Sequence, residues 1–230
     1  MILDYYDWAG GREAMMRFGP ANGPVVALAL PPFEEWNRTR TFAVRLLRLL
    51  SERGIASILP DLPGLGESLV PLDEITLGDW RAAYAAAAAE ADYSVAIRGG
   101  VLICADAVVR GRWCFAPQDG ARLVRLLVRV RKASAREAGE SFDPASIVVD
   151  GPAIEIAGNA IPRALLRELS AAGPAVLGTA RTLRLESDVE HADRKVPGLP
   201  LWRRAEPADD PALAELLVDD IAQWVASCAA

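Results

Sequence analysis

The stretch Tyr93-Ser94-Val95-Ala96-Ile97-Arg98-Gly99-Gly100 predicts a strand that ends in a sharp turn and leads directly into a helix. Its first five residues form a largely apolar run, typical of a strand that is covered on both faces. Small residues stand two positions before and two positions after Arg98, as needed where the backbones of a strand and a helix crowd together. The stretch therefore predicts a tight strand–turn–helix connection with Arg98 at its tip.

The same order of strand, turn and helix continues on both sides of this stretch. Further strands are predicted at residues 25–30, 55–59, 112–116, 175–179, 181–185 and 199–204. Helices are predicted at residues 41–53, 79–91, 99–107, 121–136 and 211–225. Strands that alternate with helices are joined by right-handed crossovers and form a parallel sheet. We therefore predict an α/β fold with a mostly parallel sheet and helices on both of its faces.

One segment, at about 133–173, breaks this alternation. Residues 147–149 and 153–156 flank Asp150-Gly151-Pro152, whose Asp-Gly step is typical of a hairpin turn. A helix is then predicted from Ile161-Pro162, with proline in its first turn, to about Ser170. We expect residues 1–230 to form a single domain in which this segment is inserted over the sheet as a small cap or hairpin excursion.

The composition and charge exclude several classes of function. A net charge of −6 argues against nucleic acid as a partner, because binding phosphates requires a positive field. The first residues show no secretory signal, and the longest apolar runs are too short to cross a bilayer. The three cysteines form neither a C-x-x-C pair nor a disulfide framework. We expect a cytoplasmic protein with no transmembrane segment, cofactor or metal.

The predicted turn at Arg98 matches the place where α/β hydrolases carry their nucleophile. The usual pattern there is G-x-S-x-G, and this chain has Ala96-Ile97-Arg98-Gly99-Gly100. A guanidinium stays protonated at physiological pH and cannot attack a carbonyl. The sequence therefore predicts an α/β-hydrolase-like turn without its nucleophile.

The other members of a Ser-His-Asp triad are also missing from their expected places. A hydrolase histidine follows the last strand, predicted here at 199–204, whereas His191, the only histidine, precedes it. Glu206 and Asp209 stand where the histidine is expected. Acidic residues that follow earlier strands are Asp119, Glu186 and Asp188. Without a base to orient, these carboxylates are interpreted as surface charges.

Two loops contain further candidate site residues. Residues 31–38 leave a strand end where hydrolases build the oxyanion hole, and residues 61–68 resemble the D-x-x-G-x-G-x-S turn that is common after the next strand. The second loop lacks the third glycine and the Lys-Ser/Thr pair of a phosphate-binding loop, so we interpret it as a tight turn. The candidate ligand-binding residues are Phe33, Glu34, Glu35, Asn37, Asp61, Ser68, Arg98 and Gly99.

Together these segments resemble the exosortase A system-associated hydrolase 2 family, α/β-hydrolase-like proteins found beside bacterial exosortase/PEP-CTERM systems. The residues that carry the resemblance are 31–38, 60–68, 97–100, 120–132, 154–158 and 201–202. The resemblance implies a cytoplasmic protein of bacteria that make exopolysaccharide and sort PEP-CTERM proteins. It also implies that an arginine at the turn is a feature of the family.

Two features permit more than one interpretation. Arg98 either forms an anion site for a carboxylate or phosphate, or is a structural arginine paired with Glu34, Glu35 or Asp61. The helix at 121–136 carries a basic stripe formed by Arg122, Arg125, Arg129, Lys132 and Arg136. This stripe either recognises an acidic partner or a membrane surface, or is the solvated face of a core-packed helix. Core anchors are predicted at Trp113, Trp202 and Trp224.

Three functions remain open at this point. The first is a non-catalytic hydrolase-fold protein that binds a small anionic or acyl ligand, or a partner, in an exopolysaccharide or protein-sorting pathway. The second is an ester or thioester hydrolase or transferase that uses unconventional residues such as Ser68 or Asp61. The third is a structural subunit of a homodimer.

Overall fold

The computed structural model describes residues 1–174, 179–204, 206–207 and 209–229. Its centre is an eight-stranded sheet with strand order β1-β2-β4-β3-β5-β6-β9-β10. These strands are β1 (Ile2–Trp8), β2 (Gly11–Phe18), β3 (Val25–Ala29), β4 (Ala56–Pro60), β5 (Tyr93–Ile97), β6 (Gly111–Phe115), β9 (Thr179–Leu185) and β10 (Arg194–Val196). Strands β3 to β6, β9 and β10 pair in parallel, while β1 and β2 extend one edge antiparallel. The predicted mostly parallel sheet is confirmed.

Helices cover both faces of the sheet, as predicted. They are α1 (Glu34–Glu52), α2 (Leu77–Ala87), α3 (Gly100–Ile103), α4 (Gly120–Glu137), α5 (Arg163–Ala171) and α6 (Pro211–Ala229). Alternate residues of each central strand face opposite sides, because side chains of a strand alternate. Ala96 of β5 joins the core beneath α2, α3 and α4, whereas Val95 and Ile97 join the core beneath α1 and α6.

The first long helix begins seven residues before its predicted start at 41, since α1 starts at Glu34. The early turns looked like a polar loop because Asn37, Arg38 and Arg40 are at least partly exposed. The opposite side of the same turns is buried at Trp36. Acidic residues in a first turn also favour a helix, because they complement the positive end of its dipole.

The two edges of the sheet differ from the sequence prediction. The strand expected at 199–204 is wrong: Leu201–Arg203 is a short 3₁₀ helix, and the last strand is β10. Pro200 lacks the N–H that a strand ladder needs, so this apolar stretch does not pair. Most of the strand predicted at 175–179 lies outside the described residues, and the strand at 181–185 is confirmed within β9. No element was predicted for β1 and β2, whose apolar residues are not continuous.

The inserted excursion is present, but its hairpin is at another position. Strands β7 (Ile154–Ile156) and β8 (Asn159–Ile161) pair antiparallel around Ala157-Gly158. Both turn residues have positive φ, 50° and 79°, as a two-residue hairpin turn requires. Residues Pro144–Val148 form a 3₁₀ helix instead of the predicted strand at 147–149. Pro152 follows the expected Asp-Gly turn and cannot donate to a ladder, which explains the shift.

Candidate functional site

The turn after β5 has the strained geometry that the sequence predicts. Arg98 lies at its tip with φ 53°, in the left-handed region that bulky residues rarely adopt. A Cβ atom placed on Gly100 would lie 2.2 Å from the carbonyl oxygen of Ala29, so only glycine fits there. The turn is tied to the end of β6 by two backbone hydrogen bonds, from Arg98 N–H to Phe115 O and from Gln118 N–H to Arg98 O.

The guanidinium of Arg98 is enclosed by three different partners. It donates to the two carboxylate oxygens of Glu35 at 3.3 and 3.4 Å and to the Ala116 carbonyl at 3.3 Å. Its Cζ atom also lies 4.5 Å from the ring centroid of Trp202, a cation–π contact. Of the three acids that were candidates for pairing with Arg98, Glu35 is therefore the partner. Glu34 pairs with Arg38.

Glu35 is a buried acid whose charge depends on this arrangement. Its side chain is only 5% exposed. Burial raises the pKa of Glu35 above its ordinary value, and the positive charges of Arg98, Arg38 and Arg203 reduce that rise without cancelling it. A carboxylate in this setting holds Arg98 in place, but at the cost of its own desolvation.

A cavity of about 920 Å³ opens beside Arg98, and we name it the arginine cavity. Its volume is in the range of small-molecule sites. Its charged lining residues are Arg38, Arg98, Arg122, Arg125, Arg129, Arg184, Arg203, Glu35 and Asp188. Seven arginines against two carboxylates leave a formal excess of five positive charges, in a chain whose net charge is −6. The cavity is therefore a local concentration of positive charge on an acidic protein.

Several of these arginines are already neutralised by neighbouring acids. Arg184 pairs with Asp188 at 2.7 Å and with Glu190 at 2.6 Å, and Arg122 pairs with Glu190. Arg38 pairs with Glu34 at 2.9 Å. No ion pair joins Arg125, Arg129 or Arg203 to another residue in the described part of the chain. These three guanidinium groups are the ones available to an incoming anion.

A smaller apolar space of about 100 Å³ adjoins the arginine cavity, and we name it the apolar slot. Its apolar lining comes from three elements, the start of α1, the buried side of α4 and the β7–β8 hairpin. These apolar residues are Pro32, Phe33, Leu123, Leu126, Leu127, Val130, Ile156 and Ala157. Glu35, Arg38 and Leu126 line both spaces, so the slot and the arginine cavity are adjacent.

The structure brings together five of the eight candidate site residues. Arg98 and Glu35 line the arginine cavity, and Phe33 and Glu34 line the slot. Gly99 lies against the 31–32 loop, since a Cβ atom placed on it would be 3.2 Å from the Pro32 ring. Asn37 is exposed and lines neither space.

Asp61 and Ser68 lie in a separate cluster that stabilises their own turn. The Ser68 hydroxyl accepts hydrogen bonds from the N–H groups of Gly64 and Val70 and donates to Glu13 at 2.9 Å. Asp61 pairs with Arg40 at 2.8 Å. The Ser68 hydroxyl bridges its own loop to Glu13, and Asp61 ties the loop to α1 through Arg40, which supports the interpretation of residues 61–68 as a structural turn.

No protein-family model and no curated protein matches the chain. Its fold does match solved structures over nearly the whole length. They include alpha/beta hydrolase domain-containing protein 10 from mouse (16% identity, 99% of both chains, TM-score 0.64) and Est1E from Butyrivibrio proteoclasticus (14%, 98% of both, 0.64). A third is epoxide hydrolase VrEH1 from Vigna radiata (13%, 98% of both, 0.63). The chain has the α/β-hydrolase fold. At these identities the likeness establishes the fold alone.

With the α/β-hydrolase fold established, the three triad positions can be located. Arg98 occupies the nucleophile position on the elbow. His191 is exposed and lies between β9 and β10, before the last strand, so it is not at the histidine position. The segment after β10 carries Trp202, which covers the Arg98 guanidinium instead. The turn after β5 thus carries a stacked arginine–tryptophan pair formed by Arg98 and Trp202.

Asp188 follows β9, where the acid of a hydrolase triad is expected, and it is paired with Arg184. Asp188 lines the arginine cavity. Burial alone would raise the pKa of Asp188, but the hydrogen bond from the Glu190 N–H and the Arg184 guanidinium together hold it below its ordinary value. Asp188 therefore stays ionised as a partner of Arg184, and among the described residues no hydrogen bond joins it to His191.

Sequence reasoning missed part of the site. Arg184 and Arg203 were not singled out, and Trp202 was assigned to the core only; it is buried, and it also stacks on Arg98. Arg38 stood within the 31–38 loop but was not named as a candidate. The basic stripe of α4 was recognised, but its first three arginines were not connected with the elbow.

Among the described residues, no helix is both long and apolar enough to cross a membrane.

Proposed function

We propose that this chain is a non-catalytic α/β-hydrolase-fold protein that binds a small anionic ligand in the arginine cavity. The observation that carries the proposal is the placement of Arg125, Arg129 and Arg203, without ion-pair partners among the described residues, around an elbow that holds Arg98. Guanidinium groups match carboxylate and phosphate oxygens in geometry as well as charge. Anion binding therefore uses the groups that the site offers.

The same arrangement argues against acyl transfer at the elbow. Arg98 stays protonated, so it cannot act as a nucleophile or as a general base. The only histidine of the chain, His191, is exposed and precedes the last strand. Asp188 is engaged by Arg184. Ser-His-Asp chemistry needs a nucleophile and base in contact. The described lining of the cavity contains one serine, Ser187, and no histidine to activate it.

The proposed cellular setting follows from the family resemblance of the sequence. We propose a cytoplasmic bacterial protein that serves an exopolysaccharide or PEP-CTERM protein-sorting system. In that setting, a hydrolase fold that binds without reacting would carry, sense or present an anionic metabolite. The resemblance supports the setting, and the arginine cavity supports the charge of the ligand.

The test is isothermal titration calorimetry with inorganic pyrophosphate on the unaltered protein and on the double variant Arg125→Ala/Arg129→Ala. A hydrogen bond to a charged group contributes about 1.5–3 kcal/mol, so each lost arginine is expected to weaken binding at least about tenfold. Arg136→Ala is the matched control, because Arg136 belongs to the same stripe of α4 but does not line the cavity. Equal affinities for the double variant and the control would contradict the proposal.

A further inference from the structure

The arginine cavity and the apolar slot differ in charge, although they are adjacent and share Glu35, Arg38 and Leu126 as lining residues. The slot contains two acids, Glu34 and Glu35, and one arginine, Arg38, which is already paired with Glu34. The arginine cavity contains the unpaired guanidinium groups of Arg125 and Arg129. An anionic group is therefore attracted to the cavity rather than to the slot, whose acids Glu34 and Glu35 are paired with Arg38 and Arg98, whereas an uncharged apolar group loses nothing by entering the slot.

Helix α4 forms the boundary between the two spaces. Arg125 and Arg129 lie on its cavity side, and Leu123, Leu127 and Val130 lie on its slot side. Residues three and four positions apart on a helix are neighbours, about 5–6 Å between Cβ atoms. Leu126, which lines both spaces, stands three positions before Arg129, so a ligand that spans only a few bonds can place a charged head against Arg129 and an apolar tail beside Leu126.

The slot is also formed by several elements that are distant in sequence. Phe33 precedes α1, Leu127 belongs to α4, and Ile156 belongs to the β7–β8 hairpin of the inserted excursion. Phe33 has φ 62°, a left-handed conformation for an aromatic residue, at the point where the chain turns into α1. The side chains of Phe33 and Ile156 are 5% and 1% exposed, so the walls of the slot are fixed by the core.

We infer that the ligand of the arginine cavity is an amphiphile, with a phosphate-type anionic head and a short aliphatic tail that occupies the apolar slot. This inference rests on the proposed function, because it assigns the head group to the same arginines. A group the size of a water molecule takes about 30 Å³, so a slot of about 100 Å³ holds roughly three or four methylene groups. The tail that fits is thus of about butyl length.

The experiment is a calorimetric titration of the unaltered protein with inorganic phosphate, methyl phosphate, propyl phosphate, butyl phosphate and octyl phosphate. Each buried methylene contributes about fourfold in affinity. Affinity is expected to rise about fourfold per carbon up to about butyl phosphate and then to level off. A series with no dependence on chain length, while inorganic phosphate binds, would overturn the inference and leave the proposed function standing. Failure of every phosphate to bind would overturn both.

A slot-filling variant gives an independent readout. Val130→Phe places a larger side chain in the slot, and it is expected to abolish the gain from methyl to butyl phosphate while leaving the affinity for inorganic phosphate unchanged within about twofold. A full chain-length gain in Val130→Phe would place the tail elsewhere and overturn the inference. Since the chain-length series uses the unaltered protein, it decides the question even if this variant folds poorly.

Discussion

At the scale of single residues, the Arg98 guanidinium is held by an ion pair, a carbonyl and an aromatic ring. The ion pair with Glu35 and the stack on Trp202 immobilise a side chain that would otherwise be free to move. A left-handed conformation costs a residue other than glycine roughly 1–2 kcal/mol, which such contacts offset. These contacts therefore hold Arg98 in a strained turn conformation.

Replacement of Glu35 tests how far its negative charge reduces anion binding in the arginine cavity. We expect Glu35→Gln to strengthen pyrophosphate binding at neutral pH, because Arg98 then has no carboxylate partner and adds its charge to the cavity. Calorimetry on the variant and on Glu34→Gln, whose acid lines only the slot, makes the comparison. Weaker binding by Glu35→Gln than by Glu34→Gln would contradict this role of Glu35.

The raised pKa of Glu35 predicts that the stability of the protein depends on pH. Because burial raises the pKa of Glu35, its protonated form favours the folded state. This contribution to the free energy of unfolding is fully present below about pH 4.5, the ordinary pKa of a glutamate. It is lost as the pH rises through the raised pKa of Glu35 in the folded protein. Urea unfolding from pH 4 to pH 8 should therefore show the unaltered protein losing stability relative to Glu35→Gln as the pH rises. A constant difference between the two would contradict the raised pKa.

Ser68 offers a residue-scale test of the alternative catalytic hypothesis. Its hydroxyl is engaged by Gly64, Val70 and Glu13, and the described structure places no imidazole beside it. We expect a fluorophosphonate probe to leave the intact mass of the protein unchanged, with an active serine esterase as the positive control. An adduct that disappears in Ser68→Ala would show a reactive serine and contradict the non-catalytic proposal.

At the scale of elements, the β7–β8 hairpin has a turn residue that is poorly suited to its conformation. Ala157 has φ 50° and is followed by Gly158, the geometry for which Asn-Gly is the preferred pair. We expect Ala157→Asn to stabilise the protein by up to about 1 kcal/mol in urea unfolding. Ala160→Asn, at an exposed strand position of the same hairpin, is the control and should give no gain. Equal effects of the two changes would contradict the turn assignment.

The elements that the sequence predicted well are those with continuous apolar runs. β3, β5 and β6 were predicted because both of their faces are buried in the sheet, so nearly every side chain is apolar. β10 has the sequence Arg194-Lys195-Val196, and one buried residue is too weak a pattern to reveal a strand. The apolar stretch at 199–204 was mistaken for that strand because its burial comes from a 3₁₀ helix against the core.

The site was only partly predictable for a related reason. The pairing of Arg98 with an acid was one of the two interpretations that the sequence permits, and Glu35 was among the three candidate acids. The link between Arg98 and the basic stripe was not foreseen, because it depends on how α4 is rotated about its axis. That rotation is set by the packing of Leu123, Val124 and Leu127 on the core, and local spacing does not report it.

At the scale of the whole molecule, we propose that residues 1–230 form one domain, with the insertion at about 133–173. The sheet contributes side chains to both cores, since Ala96 faces one and Val95 and Ile97 face the other. Neither core can therefore open without disturbing the strands that support the other. We expect urea unfolding followed by tryptophan fluorescence and by far-ultraviolet circular dichroism to give coincident single transitions. Two separated transitions would contradict the single domain.

The charge distribution of the whole chain underlies the central claim. An acidic protein concentrates arginines around the turn that carries Arg98. The most direct test is a crystal structure of the protein grown with inorganic pyrophosphate. We expect the anion to lie in the arginine cavity in contact with Arg125 and Arg129, with Arg98 still stacked on Trp202. A cavity without the anion, while pyrophosphate lies elsewhere on the protein, would contradict the account.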